Sequence, residues 1–240
     1  MLGDLLARAA VPGGALLDLA TGPGRIALDL APRFERVVGV DLEPEMIDVA
    51  RAAAARRGIT NATWQVGRAE DFEAPDESFD LITIGEALHR LRQSLVMGLA
   101  FRLLRPGGCI ATLGLEGQFD GPSEWEATLR EVVDIYRARA FPDGWAEGLP
   151  GEVQGEEARH AAMRAAGFVE IEEPVFDIER QWTFDEIAGY LETTSTCSRH
   201  ALGVHFDPCM TELRKRLTAE GSTVFSQTIR WGYTLGRKPR

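Results

Sequence analysis

Two carboxylates and two glycines stand where they could hold a ligand. The stretch Ala15 to Leu30, ALLDLATGPGRIALDL, is an apolar run that breaks into a glycine turn and resumes with helical spacing, and Asp41 closes a second apolar run, VVGVD. Gly22 and Gly24 lack the β-carbon that would keep a ligand from the backbone, and a helix N-terminus follows them. Asp41 can accept hydrogen bonds from both hydroxyls of a ribose, and a carboxylate ending a buried strand is costly unless something donates to it. Its other role is to cap the helix expected from Pro44. Leu42 and Met46 would pack on the face of an adenine, or serve as core. Asp18 sits at the strand end ahead of the glycines, where a carboxylate suits a cationic ligand better than a pyrophosphate; a sulfonium carrying an amino acid fits. A glycine turn alone also serves close helix-to-strand packing.

These residues need strands that end at one edge of a sheet. Apolar runs predict strands at about 15–20, 36–41, 61–66, 79–84 and 109–115, and helices at about 24–32, 44–57 and 93–104. This alternation implies a parallel α/β sheet. Pro44 suits a first helical turn, Gly58 a helix exit, and Arg105 to Gly108 a turn back to the sheet. After Leu115 an amphipathic stretch, SEWEATLREVVDIYRARAF, ends in the Pro- and Gly-rich FPDGWAEGLPG. A helix over EEARHAAMRAAGF, one alternating strand over FVEIEEPVFDIERQW, helices around TFDEIAGYLETTS and DPCMTELRKRLTAEG and a last strand over TVFSQTIRWGYTLGRKP complete the chain. The divisions expected are a nucleotide-binding core over 1–116, a helical lid over 117–151, and the rest of the sheet over 152–240 with a cap at about 183–222. The first strand begins near residue 15, so cover for a cofactor must come from the insertions or a second subunit, which leaves a homo-oligomer open.

In order, DLATGPG, VVGVD, GRAED (67–71), SFDLITIGEALH (78–89) and LLRPGG (103–108) resemble the class I S-adenosylmethionine-dependent methyltransferases over roughly the first half of the chain. WTFDEIAGYLETTS and GYTLGRKP look more loosely like small-molecule enzymes of the trans-aconitate methyltransferase branch. The resemblance implies a Rossmann-like, mostly parallel sheet of seven strands with helices on both faces, helical cap insertions, and S-adenosyl-L-methionine as cofactor. It implies that Gly22 and Gly24 pass beneath the methionine part and that Asp18 organises the turn and the amino group. Ala20 replaces a glycine common in the family and narrows the loop. The Ala69 amide would meet the adenine, whose amino group needs an acceptor; the family's usual acceptor position holds Arg68, which only donates, so Glu70, Asp71 or a carbonyl must serve. Gly85 and Glu86 would border the sulfonium and amino-acid end. His89 then faces the acceptor, either as a base or as part of the pocket wall.

Trp125, Tyr136, Trp145, Trp182 and Tyr190 lie in the two insertions and would either wall the acceptor pocket or form the cap's own core. Arg199 and Arg180 would bind an acidic acceptor or lie on a solvated face. His160, His200 and His205 show no metal-ligand spacing, with Pro208 expected to interrupt any helix from His205 to Cys209. No metal is expected.

With 45% hydrophobic and 26% charged residues in 240, the chain reads as one folding unit. Its net charge of −11 disfavours a nucleic-acid holder, no apolar run reaches the roughly twenty residues that cross a bilayer, and the opening residues do not read as a leader. A cytoplasmic location is expected, with Cys109, Cys197 and Cys209 reduced. The function expected is methyl transfer to a small molecule, first to a carboxylate or hydroxyl oxygen. Alternatives are a protein or RNA methyltransferase and a non-catalytic S-adenosylmethionine-binding protein.

Overall fold

The computed structural model describes residues 1–115, 119–144, 155–194, 196–219 and 221–240. The apolar runs become strands β1 (Ala15–Leu19), β2 (Arg36–Asp41), β3 (Ala62–Val66), β4 (Phe79–Gly85) and β5 (Leu104–Leu115), with β6 (Val169–Glu172), β7 (Val175–Thr183) and β8 (Val224–Arg237) added later. Their order is β3-β2-β1-β4-β5-β8-β6, and β7 pairs with β8. Strands β1 to β5 run parallel, while β6 is antiparallel to β8. The central strands β1 and β4 are buried on both faces, as a sheet covered on both sides requires.

Among the described residues the sheet has eight strands where seven are expected. The difference arises at Glu173–Pro174, where the stretch expected as one strand divides into β6 and β7; proline cannot supply the amide that a continuous ladder needs. Arg105–Gly108, expected as a turn, lies within β5 as an irregularity: the register steps from Phe79↔Leu104 to Leu81↔Cys109, and Gly107 takes φ +79°.

Helices α1 (Leu2–Ala9), α2 (Arg25–Leu30), α3 (Pro44–Arg56), α4 (Gln93–Leu103), α5 (Glu124–Ala140), α6 (Glu156–Ala166), α7 (Phe184–Glu192), α8 (Arg199–Leu202) and α9 (Phe206–Leu217) complete the elements. Helix α1 precedes the first expected element; Leu5 and Ala9 are its buried positions. Pro208 does not end a helix: it lies in the first turn of α9, where its missing N–H removes no intrahelical bond. Among the described residues no helix is long and apolar enough to cross a membrane.

Two compact units result, one of Met1–Gly114, Glu147–Val175 and Gly232–Arg240, the other of Leu115–Ala146 and Phe176–Trp231. In the first, Leu17, Leu19, Val40, Ile82 and Ile84 pack with Met97 and Ala100 of α4 and Met163 of α6. Alternation along β1 sends Leu16 and Asp18 to the opposite face. The second unit has its own core of Leu129, Val132, Trp182, Ile187, Leu213 and neighbours, so the two insertions read separately from the sequence form one body.

Candidate active site

Asp18 is 1% exposed, and its carboxylate accepts from the hydroxyls of Thr21 (2.5 Å) and Thr83 (2.6 Å). Burial pushes its pKa up to about 6, against the lowering by these hydroxyls and the Ala27 amide. Both oxygens are thus committed to the turn that follows and to β4. Ala20 takes φ +53°, a left-handed conformation that glycine adopts without penalty.

Asp41 lies at the neighbouring strand end, 9% exposed. One oxygen accepts from the Gly22 amide at 2.7 Å and the other from the Glu43 amide at 3.0 Å. A carboxylate has about four lone-pair directions, so each oxygen retains acceptor capacity. Three apolar side chains on the neighbouring segments are exposed: Leu42 (55%) next in the chain, Val66 (45%) paired with Asp41 in register, and Met46 (40%) in the first turn of α3. A Cβ placed on Gly22 meets nothing within 4 Å, whereas one on Gly24 would press on the Trp64 ring. The two glycines therefore face different things, open space and indole.

Ala69 opens a short 3-10 turn, Ala69–Asp71, and is buried. The Glu70 side chain turns inward and accepts from the Arg92 amide at 3.2 Å, while Arg68 lies 3.5 Å from the exposed Asp71 carboxylate. Gly85 ends β4, and a Cβ there would collide with Ile26 of α2. Glu86 follows with φ +51°, its amide donating to the Leu113 carbonyl at 2.8 Å. His89 is exposed on the short turn Leu88–Arg90. Gly22, Asp41, Ala69, Glu86 and His89 thus all lie on segments that follow or end parallel strands, the edge where such sheets place ligands.

In the second unit, Trp182 is buried and donates its indole N–H to Gln227 Oε1 at 2.8 Å; its ring meets Phe119 and Tyr190 edge-on. Trp125 donates to the Ser226 carbonyl at 2.9 Å and also contacts Phe119. Tyr136 lies half-buried beneath Arg139. Arg180 stacks on Trp182, and Arg199 bridges Glu192 and Asp207. Trp145 lies outside the described residues.

Sequence reading passed over Thr83, Gln227 and Glu126. Glu126, 2% exposed, accepts from the Ser123 hydroxyl at 2.6 Å and from Gln227 Nε2 at 2.8 Å. The Ser123-x-x-Glu126 spacing was a visible capping box, and Thr83 was a lone polar residue in an apolar run; Gln227 carried no local signal. The fold also gathers Glu156, His160 and Glu173, their ligand-type atoms within 4.8 Å of one another. Arg159 is already 2.8 Å from Glu173 and supplies the positive charge there. Burial raises the Glu173 pKa, but the Thr234 hydroxyl, Arg159 and His160 outweigh it and bring it to about 2.

A family model described as a methyltransferase domain matches residues 16–108. The demethylmenaquinone methyltransferase of Thermus thermophilus is 33% identical over 166 residues, 64% of this chain and 73% of that protein. The chain belongs to the class I S-adenosylmethionine-dependent methyltransferases. Nocamycin O-methyltransferase of Saccharothrix syringae is 32% identical over 187 residues, 70% of this chain and 64% of that protein. Against other curated methyltransferases the match spans about half of their length. The solved YcgJ protein of Bacillus subtilis shares the fold, with a TM-score of 0.60 at 20% identity, over 100% of this chain and 98% of that one.

The family's cofactor is S-adenosylmethionine, and the residues at this strand edge fit it. Asp41 keeps acceptor capacity for ribose hydroxyls, the segments next to it carry three exposed apolar side chains, and Gly22 opens onto free space.

Proposed function

We propose that this chain transfers the methyl group of S-adenosylmethionine to a small-molecule acceptor, at a carboxylate or hydroxyl oxygen. The observation that carries the reading is Asp41: a nearly buried carboxylate held by two backbone amides, with spare acceptor capacity and with exposed Leu42 and Met46 on the segment that follows it. The cofactor, when bound, supplies a methyl group on a positive sulfur. Asp41 would hold the ribose, Leu42 and Met46 the adenine faces, the Ala69 amide an adenine edge, and the Gly22 turn with Gly85 and Glu86 the amino-acid end. Asp18 positions that turn through Thr21 rather than reaching outward. Alignment supplies much of the acceleration of an in-line displacement, so a carboxylate acceptor needs no base; a hydroxyl acceptor loses its proton to His89.

Two relatives are named for demethylmenaquinone and for nocamycin O-methylation, which supports a small acceptor. The charge of −11 supports it too, since a phosphate backbone calls for a basic face. The test begins with calorimetric titration of S-adenosylmethionine and S-adenosylhomocysteine, with NADH as control. Micromolar binding of the first two alone is expected, and Asp41→Ala should weaken it by about a hundredfold, two charge-assisted contacts being lost. Radiolabelled methyl transfer is then followed with small carboxylic acids, small hydroxy compounds, bulk RNA and protein. Label on RNA or protein alone would overturn the acceptor class, and no cofactor binding would overturn the reading itself.

A further inference from the structure

Trp64, in the middle of β3, lies opposite Gly39 of β2. Its benzenoid ring occupies the space that two glycines leave. A Cβ on Gly39 would sit 2.5 Å from Trp64 Cε3 and Cζ3, and one on Gly24 would sit 2.6 Å from Cη2 and 2.9 Å from Cζ3. The Gly39 position is also 3.1 Å from the Thr21 methyl carbon, so indole, Thr21 and Gly24 crowd one spot. Thr21 is fixed in turn by its hydroxyl on Asp18 (2.5 Å) and its amide on the Val40 carbonyl (2.9 Å), and the Gly24 amide returns to the Thr21 carbonyl at 3.0 Å. Between these fixed points, Gly22 presents its amide to Asp41 at 2.7 Å.

We infer that Trp64 is a positioning residue: its ring is the wedge that sets where the Thr21–Gly24 turn stands and so places the Gly22 amide on the Asp41 carboxylate. The inference rests on the reading of that turn and Asp41 as the cofactor site. The two glycines of the turn are then glycine for different reasons. Gly22 leaves room for the ligand, while Gly24 leaves room for Trp64. Interiors are packed too densely for a methyl group to enter beside that ring without moving something. The ring already bears on the β2 backbone at Gly39, and a Cβ on Gly24 would also come within 3.1 Å of Ala50 Cβ, so a methyl group there pushes on the turn and strains the hydrogen bonds that hold it.

The experiment is a double-mutant cycle of Gly24→Ala and Trp64→Phe, read by S-adenosylhomocysteine titration and by urea midpoint. Phenylalanine keeps a ring near Gly39 but removes the outer indole atoms that abut Gly24. The strain of alanine at φ +79° is common to both backgrounds and cancels in the cycle. Gly24→Ala is expected to weaken binding at least tenfold with Trp64 present and no more than threefold in the Trp64→Phe background. Trp64→Phe alone is expected to raise Kd several-fold with the stoichiometry still at one; simple loss of folded protein would lower the stoichiometry instead. Equal weakening in both backgrounds, or an unchanged Kd for Trp64→Phe, overturns the inference. If the wild type binds neither S-adenosylmethionine nor S-adenosylhomocysteine, the cofactor reading falls. The midpoints then decide the wedge by themselves: non-additive shifts uphold it and additive shifts overturn it.

Discussion

The Thr83 hydroxyl donates to the Asp18 carboxylate at 2.6 Å, between residues directly opposite in the parallel pair β1 and β4. That bond and its Thr21 counterpart keep a buried carboxylate at the root of the glycine turn. Hydroxyl donors only partly offset the desolvation of the anion, which is why the pKa rises to about 6.

Asp18 therefore makes stability fall as pH rises. Its folded pKa of about 6 exceeds the unfolded value of about 3.9, so between those values the folded state binds the proton more tightly. The free energy of unfolding should drop by up to about 3 kcal/mol across pH 4 to 6 from this group and level off above. Glu173, lowered to about 2, acts with the opposite sign: its contribution is present above about pH 4.5 and is lost as pH falls toward 2. Urea unfolding of wild type and Asp18→Asn at pH 4, 5, 6 and 7 checks this, with the variant gaining relative stability as pH rises. A difference that does not change with pH would show that Asp18 keeps one charge state throughout.

Ala20 at φ +53° carries a left-handed penalty of about 1 kcal/mol or somewhat more. Glycine removes it but adds freedom to the unfolded chain, so Ala20→Gly should stabilise by about 0.5 kcal/mol. A urea midpoint that falls would mean that the methyl group contributes packing larger than the strain.

Gln227 joins two buried polar groups of the second unit, accepting from the Trp182 indole and donating to Glu126, both at 2.8 Å. Gln227→Leu strands the indole N–H and leaves Glu126 Oε1 with the Gly121 amide alone, at 3.2 Å, and a loss of about 1 to 3 kcal/mol is expected. Chemical denaturation measures it. A change under about 0.5 kcal/mol would show that water or repacking satisfies both groups.

His89→Ala separates base from wall. Cofactor affinity should stay within about twofold, while turnover should fall by roughly 10² to 10⁴ on a hydroxyl acceptor and little on a carboxylate acceptor. Equal loss on both acceptors would make His89 a shaping residue only.

The core was largely legible because its signals are local. Apolar runs over β1, β2 and β4 produced the expected strands, Pro44 opened α3, and Gly167 ended α6 at φ +105°. Where the reading failed, a local rule met a competing one. Pro208 reads as a breaker but sits where helices tolerate proline, and Pro174 divides what alternation makes look like a single strand.

By itself the sequence determined the strand–turn–helix order, the glycine turn and the carboxylate closing β2, since hydrophobic period and turn chemistry act over a few residues. Only the tertiary structure decided that Asp18 answers to Thr83, 65 residues away, and that Glu126 answers to Gln227, 101 residues away. It also decided that Gly24 makes room for Trp64 while Gly22 opens to space. Such pairings depend on sheet register and on the filling of volume, and both are settled only when distant segments pack against one another.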